Sequence, residues 1–224
     1  MDVIIRIGGS VIASPIRADL IKEYVSVIGE FLKGGNRVGL VVGGGETARK
    51  YIKVAAELGF PDRKKDMYAI YISRLNASLF SESLTGNSSV ARTIGVAARA
   101  FKAWGFVAMG GLRPGMTTDF VALELAKAVA SPLLIKATDQ EGIYDADPRT
   151  HPGARLLPRL TYEELSLVVE SASHTPGLHS ILDPLTVKGL KGSGIRVIVF
   201  NGNDPENLRK VLSGYVVGSV VEPG

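Results

Sequence analysis

Residues 38–50 read VGLVVGGGETARK, an apolar run that enters three consecutive glycines and then a helical pattern. The spacing Gly43-x-Gly45-x-x-Ala48 fits the dinucleotide-binding fingerprint. That fingerprint also needs a second strand after the helix, ending about 20 residues on in an acid for the ribose. Here Glu46–Leu58 reads as a helix stopped by Gly59, with Pro61 just beyond, and Asp62-Arg63-Lys64-Lys65 leads into more helix. With no strand between, the context excludes a dinucleotide site. A P-loop is excluded too, because Gly-x-x-x-x-Gly-Lys-Ser/Thr occurs nowhere in the chain.

Working outward, short apolar runs recur and each ends in small or polar residues. They are Val3–Ile7, Arg37–Val42, Phe106–Met109, Leu133–Ala137 and Ile195–Phe200. Runs this short and this uniformly apolar suit strands covered on both faces. Helical patterns separate them: Ile16–Lys33, with Ile16, Leu20, Tyr24, Ile28 and Phe31 on one stripe, then Glu46–Leu58, Asp66–Ser81, Val90–Ala103 and Asp119–Val129. Thr161-x-x-Glu164 is a capping box opening Thr161–Glu170, and Pro184–Lys191 and Pro205–Leu212 complete the set. Thr85–Ser89 and Ala146–Pro158 read as loops over the sheet edge. The alternation predicts one α/β domain, a mostly parallel sheet with helices on both faces and a soft division near Ser131. Such sheets bind ligands at the carboxyl ends of their strands.

Three of those ends carry glycines: Gly8-Gly9-Ser10, Gly43-Gly44-Gly45 and Gly110-Gly111. Bare backbone there lets amides face a ligand, and a helix N-terminus adds partial positive charge, so phosphate is the natural guest. Tight turns or close packing would also call for glycine. Several such loops on one edge favour a shared polyphosphate site. Arg49, about one turn into the following helix, is placed to pair with an anion; the plain alternative is a surface pair with Glu46.

The 224-residue chain is 46% hydrophobic and 21% charged, which is ordinary globular composition. Zero cysteines exclude disulfides and thiolate metal sites. The formal charge of +4 is scattered, and its densest run, Asp62–Asp66, carries its own acids, so a solvated surface is expected rather than a nucleic-acid groove. MDVIIRIGGS is too short an apolar run for a signal peptide, and no stretch approaches the roughly 18 apolar residues of a membrane span. The expected compartment is the cytoplasm, with no nucleic-acid or membrane partner.

The ordered segments Ile-Gly-Gly-Ser, Val-Val-Gly-Gly-Gly-x-x-Ala-Arg-Lys-Tyr, Gly-Gly-x-x-Pro-Gly-x-Thr-Thr-Asp, Ala-Thr-Asp-x-x-Gly-Ile-Tyr-x-x-Asp-Pro and Leu-Asp-Pro-Leu-x-x-Lys span essentially the whole chain. In that order they resemble the amino acid kinase superfamily, and within it the uridylate (UMP) kinases of the archaeal type. The discriminating stretch is GGLRPGMTTDF, Gly110–Phe120. The resemblance implies a three-layer α/β/α sandwich with about eight strands, spanning 1–224, with acceptor binding in about 1–130 and ATP binding in about 131–224. It implies transfer of the ATP γ-phosphoryl group to UMP with Mg²⁺ carried mainly by the phosphates, a place in pyrimidine nucleotide synthesis, and a homohexamer.

Carried over by motif, Gly9 and Ser10 belong to an ATP phosphate loop, joined by Gly45 and Arg49. Thr138, Asp139, Tyr144 and Asp147 form the ATP nucleoside side. Gly44 and Asp66 face UMP, and Leu112, Arg113, Pro114, Gly115, Met116, Thr117 and Thr118 wrap its phosphate and uridine. Lys188 supplies transition-state charge, and Asp119 organises the cationic groups or the metal shell while capping its helix. No protein ligand of a metal is assigned.

The chemistry of the acceptor agrees. A phosphate monoester ionises a second time near pH 6, so the attacking oxygen needs no general base, and His151, His174 and His179 read as loop residues. Many relatives carry Lys where this chain has Arg6, whose planar fork is not equivalent to an ammonium. On that ground Arg6 is not assigned a catalytic role. Two other readings compete. One is a kinase of the same fold for another phosphorylated acceptor such as isopentenyl phosphate; the hydrogen-bonding Arg113, Thr117 and Thr118 disfavour its apolar pocket. The other is a nucleotide-sensing module without turnover, which would have lost Lys188, Asp119 and Arg49.

Overall fold

The computed structural model describes residues 1–173 and 181–224, without the side chains of 172 and 173. The amino-terminal half runs β1 (Asp2–Ile7), α1 (Gly9–Ile12), α2 (Ala18–Lys33), β2 (Arg37–Val42), α3 (Gly45–Glu57), α4 (Asp62–Thr85), α5 (Ile94–Trp104), β3 (Phe106–Met109) and α6 (Thr118–Val129). Then come β4 (Leu133–Thr138), β5 (Arg159–Thr161), α7 (Tyr162–Ser173), α8 (Pro184–Leu190), β6 (Arg196–Asn201), α9 (Glu206–Leu212) and β7 (Ser219–Glu222).

The strands form one seven-stranded sheet in the order β3-β2-β1-β4-β6-β7-β5. All pairs are parallel except β6 with β7. Side chains alternate across a strand, so the strands other than the short β5 serve two cores. Ile4, Val41, Val107, Leu134 and Val197 pack beneath α5, α6, α7 and α8. Val3, Ile5, Leu40, Ile135 and Ile198 pack beneath α2, α4 and α9 on the other face. This is the three-layer α/β/α sandwich expected, with seven strands among the described residues rather than about eight.

Several boundaries differ from the sequence reading, each for a local reason. Ile16 is 56% exposed and lies outside α2, so the stripe begins at Leu20. Helix α4 is longer at both ends than Asp66–Ser81, running on to a left-handed Gly86. Helix α5 starts at Ile94, not Val90, because the Thr93 side chain caps it by accepting from the Val96 amide. Upstream of that cap, Ala91 bridges to Met109 at the open edge of β3. Strands β5 and β7 were missed; at three and four residues they are too short to show a period. The capping box is reciprocal: the Thr161 amide donates to Glu164 at 2.7 Å, and the Glu164 amide to Thr161 Oγ1 at 3.2 Å.

Candidate active site

The three glycine loops close β1, β2 and β3, which are neighbours in the sheet, so they meet at one edge. Contact between the loops is direct. A Cβ on Gly9 would lie 2.0 Å from the Gly45 nitrogen, and one on Gly43 would lie 2.6 Å from the Gly9 nitrogen. Close backbone packing therefore accounts for Gly9, Gly43 and Gly45, the last also at φ +66°. Gly8-Gly9-Ser10 is not a plain loop, since Gly9 and Ser10 open the single turn α1.

Helix α4 holds the other two loops in place. Asn76 donates to the Gly43 carbonyl at 2.8 Å, and the Gly111 amide donates to Ser73 Oγ at 2.8 Å. Arg74 Nε donates to the Gly111 carbonyl at 3.0 Å and Nη2 to that of Leu112 at 3.1 Å. A Cβ on Gly110 would lie 2.5 Å from the Arg74 nitrogen, so helix and loop also touch backbone to backbone.

Between these elements lies a pocket of about 400 Å³. Of the residues expected around an acceptor, Gly44, Asp66, Arg113, Gly115, Met116, Thr117 and Thr118 line it. Gly45, expected on the ATP side, lines it as well, beside Ala48, Ala69, Ile70, Ser73 and Gly111. Leu112 and Pro114 do not; Leu112 packs against the core beneath α5 and α6 instead. Asp66 accepts from the Gly115 amide at 2.9 Å, and Gly115 takes φ +78°, which closes the loop over the pocket. Arg113 Nε lies 2.9 Å from Met116 Sδ and is exposed.

Asp119 sits at the head of α6 with both carboxylate oxygens engaged. Oδ1 is 2.9 Å from Arg6 Nε, and Oδ2 accepts from Lys136 Nζ at 2.6 Å. Arg6 Nη2 also donates to Thr118 Oγ1 at 3.1 Å. Arg6 and Lys136 are register partners on β1 and β4 and share the α6 face with Ile4 and Leu134. Burial pushes the Asp119 carboxyl upward, but Arg6 and then Lys136 outweigh it and hold the group below its ordinary value. Burial pushes the Lys136 ammonium down to about 8, against the attraction of Asp119. Asp119 does not cap α6, although its place at the helix start suggests that role; Thr117 is the N-cap, and the Asp119 carboxylate is taken up by the two cations.

On the other side of the edge, Thr138 ends β4 and Asp139 follows it beside the first loop, where the Gly8 amide donates to the Ala137 carbonyl at 2.8 Å. Thr138 Oγ1 donates to Asp139 at 3.3 Å. Tyr144 bridges to Leu156 inside the irregular stretch that follows. Buried Asp147 spends its carboxylate on that stretch, accepting from the Arg149 amide at 2.9 Å. Glu46 pairs with Lys50 at 2.9 Å rather than with Arg49, which stays exposed in the first turn of α3. Lys188 is exposed in the last turn of α8, lines no part of the pocket and has no ion pair among the described residues. His151 is an exposed loop residue beside Thr150; His174 and His179 lie outside the described residues.

Motif and spacing do not point to Lys136, Arg6, Ser73, Arg74 or Asn76. Lys136 had a signal, being the one charge inside the apolar run LLIKAT. Ser73 and Arg74 had none, because their partners are distant backbone groups.

Residues 1–201 match the Amino acid kinase family. The chain belongs to that family. Among curated relatives it is similar to a uridylate kinase of Hyperthermus butylicus, 39% identical over 98% of this chain and 97% of the other. It is likewise similar to a uridylate kinase of Methanoculleus marisnigri, 40% identical over 98% and 94%. Among solved structures, a uridylate kinase of Archaeoglobus fulgidus matches this chain at TM-score 0.89 and 34% identity, over 99% of this chain and 100% of the other.

Proposed function

We propose that this chain is a UMP kinase that transfers the γ-phosphoryl group of ATP to UMP, giving UDP and ADP. One observation carries the reading. The stretch that singled out uridylate kinases, within Gly110–Phe120, forms one wall of a pocket whose other walls are Gly44 and Asp66. Full-length relatives named uridylate kinase support it.

The acceptor phosphate, already dianionic near neutral pH, needs alignment and positive charge rather than a base. Its oxygen bonds to the γ-phosphorus as the bond to the bridging oxygen breaks and leaves with ADP. Thr118 donates at the head of α6, whose N-terminal amides favour an anion, and Thr117, its hydroxyl proton given to Asp183, shapes the wall beside it. Arg113 and Asp66 hold the rest of UMP. ATP phosphates lie along Gly9, Ser10, Gly45 and Arg49, with the nucleoside toward Thr138, Asp139, Tyr144 and Asp147. Lys188 reaches the transferring group from α8, and Asp119 keeps Arg6 and Lys136 in place.

Mg²⁺ keeps several waters and takes few carboxylates, so it is commonly carried by substrate phosphates. Among the described residues no three acids or histidines gather to hold an ion, and the donor set fits a cation carried by ATP. When bound, it supplies charge neutralisation on those phosphates.

We take about 1–130 as the acceptor-binding part and about 131–224 as the ATP-binding part of one domain. No helix among the described residues is long and apolar enough to cross a membrane, and we place the chain in the cytoplasm, serving pyrimidine nucleotide synthesis. Helix α4 is only partly core: Tyr71, Leu75 and Leu79 are exposed, as are Tyr51 and Val54 on α3. That face supports self-association, with a hexamer as the assembly the family resemblance implies.

Calorimetric titration tests the acceptor pocket. Asp66→Ala is expected to weaken UMP at least about ten-fold, the loss of one charge-assisted contact, while ATP binding is unchanged. Equal UMP affinity in the variant would remove Asp66 from the site.

A further inference from the structure

Lys136 Nζ donates to Asp119 at 2.6 Å and also to the carbonyl of Ile181. Its side chain is 6% exposed. The segment from Ile181 leads to Asp183, which caps α8 by accepting from the Thr186 amide at 3.0 Å. Asp183 also accepts the Thr117 hydroxyl at 2.6 Å, and Thr117 caps α6 by accepting from the Phe120 amide at 3.0 Å. The contacts close a ring: Lys136, Ile181, Asp183, Thr117, the head of α6, Asp119 and back to Lys136. Arg6 reaches Asp119 and Thr118 but not this segment, which is joined to the head of α6 by Thr117 through Asp183 and by Lys136 through the Ile181 carbonyl.

A buried ammonium is costly even when paired, and an apolar side chain of similar length often serves stability as well or better. The neighbours Leu134, Ile135 and Ala137 are apolar and buried, so β4 itself does not call for a charge. We propose that Lys136 is a positioning residue for phosphoryl transfer, tying Asp119 to the Ile181–Asp183 segment so that the Thr117–Thr118 wall keeps one placement relative to α8. The inference rests on the pocket being the acceptor site. It predicts an effect on the transfer step rather than on acceptor affinity, since Asp66, Arg113 and the Gly111 loop keep their own supports. Displacements of about 1 Å around reacting groups cost on the order of a hundred-fold in rate.

The test compares wild type, Lys136→Met, Asp119→Asn and the double variant by ADP release with UMP and by calorimetric UMP binding, with folding checked by circular dichroism. For Lys136→Met, kcat is expected to fall about thirty-fold or more while the UMP dissociation constant stays within about three-fold. The double variant is expected to be within about three-fold of Asp119→Asn, because one residue acts through the other. A folded Lys136→Met variant with kcat within about two-fold of wild type, or a double variant showing the product of the two losses, overturns the inference. If the Met variant does not fold, Lys136→Gln and Lys136→Arg replace it. Arginine keeps the charge and is expected to retain at least about ten times the kcat of glutamine, and equal values overturn the inference. A wild-type protein inactive with UMP removes the functional reading and this inference together. An active wild type beside an unimpaired Lys136→Met removes the inference alone.

Discussion

The Thr117 hydroxyl donates to the Asp183 carboxylate at 2.6 Å, and each residue is the N-cap of its own helix, Thr117 of α6 and Asp183 of α8. One hydrogen bond thus fixes two helix N-termini beside the pocket. Asp183→Ala removes a cap and a cross-link together. Loss of an N-cap alone costs about 1 kcal/mol, so a destabilisation of roughly 2 kcal/mol is expected in urea denaturation. Asp183→Asn, which keeps an accepting oxygen for the cap, is expected to recover at least half of that.

The glycine contacts give a sharper prediction. A methyl group on Gly9 meets the Gly45 backbone at 2.0 Å, and backbone cannot swing aside as a side chain would. Gly9→Ala is expected to cost about 2 kcal/mol or more through overpacking and to raise the KM for ATP. Gly153→Ala, where an added Cβ meets nothing within 4 Å, serves as the control and is expected to behave as wild type. Equal stability of the two variants would contradict the loop packing.

Lys188 and Lys136 make contrasting demands. If Lys188 reaches the transferring phosphoryl group from its exposed place on α8, Lys188→Ala lowers kcat by about two orders of magnitude with little change in melting temperature. Near-normal turnover would remove Lys188 from the mechanism and leave the charge to Arg6 and Lys136.

The Arg6–Asp119–Lys136 cluster predicts two pH effects on stability of opposite origin. Asp119 titrates lower in the folded chain than unfolded, so its contribution is present above its unfolded value near pH 4 and is lost as pH falls through the folded one. Lys136 titrates near 8 when folded against 10.5 as its ordinary value. Between those values the unfolded chain binds more protons at this site, so its effect on stability rises with pH there. Urea denaturation at pH 7, 9 and 10 is expected to show wild type gaining on Lys136→Met over that range. A constant difference would contradict the depressed ammonium.

Much of this was legible in the sequence, and the limits were physical. The strand cores and the glycine-bearing ends were readable because uniform apolar runs and bare backbone are local signals. Asp66 and Thr117 were placed by motif. The charge inside LLIKAT is anomalous, but the role of Lys136 is not local, because its partner Asp119 lies 17 residues away and only the fold brings them together. Arg6 was set aside for its side-chain type, yet it stands beside Lys136 in register. The three glycines of residues 43–45 suit a cradle for phosphate, and Gly43 and Gly45 are also needed where two loops touch.

The most direct measurement is ADP release with ATP and Mg²⁺ against UMP, CMP, dUMP and isopentenyl phosphate side by side, on the same preparation. The account predicts turnover with UMP as the preferred acceptor and none with isopentenyl phosphate. Turnover confined to isopentenyl phosphate, or none with any of the four by a folded protein that binds ATP, would contradict it.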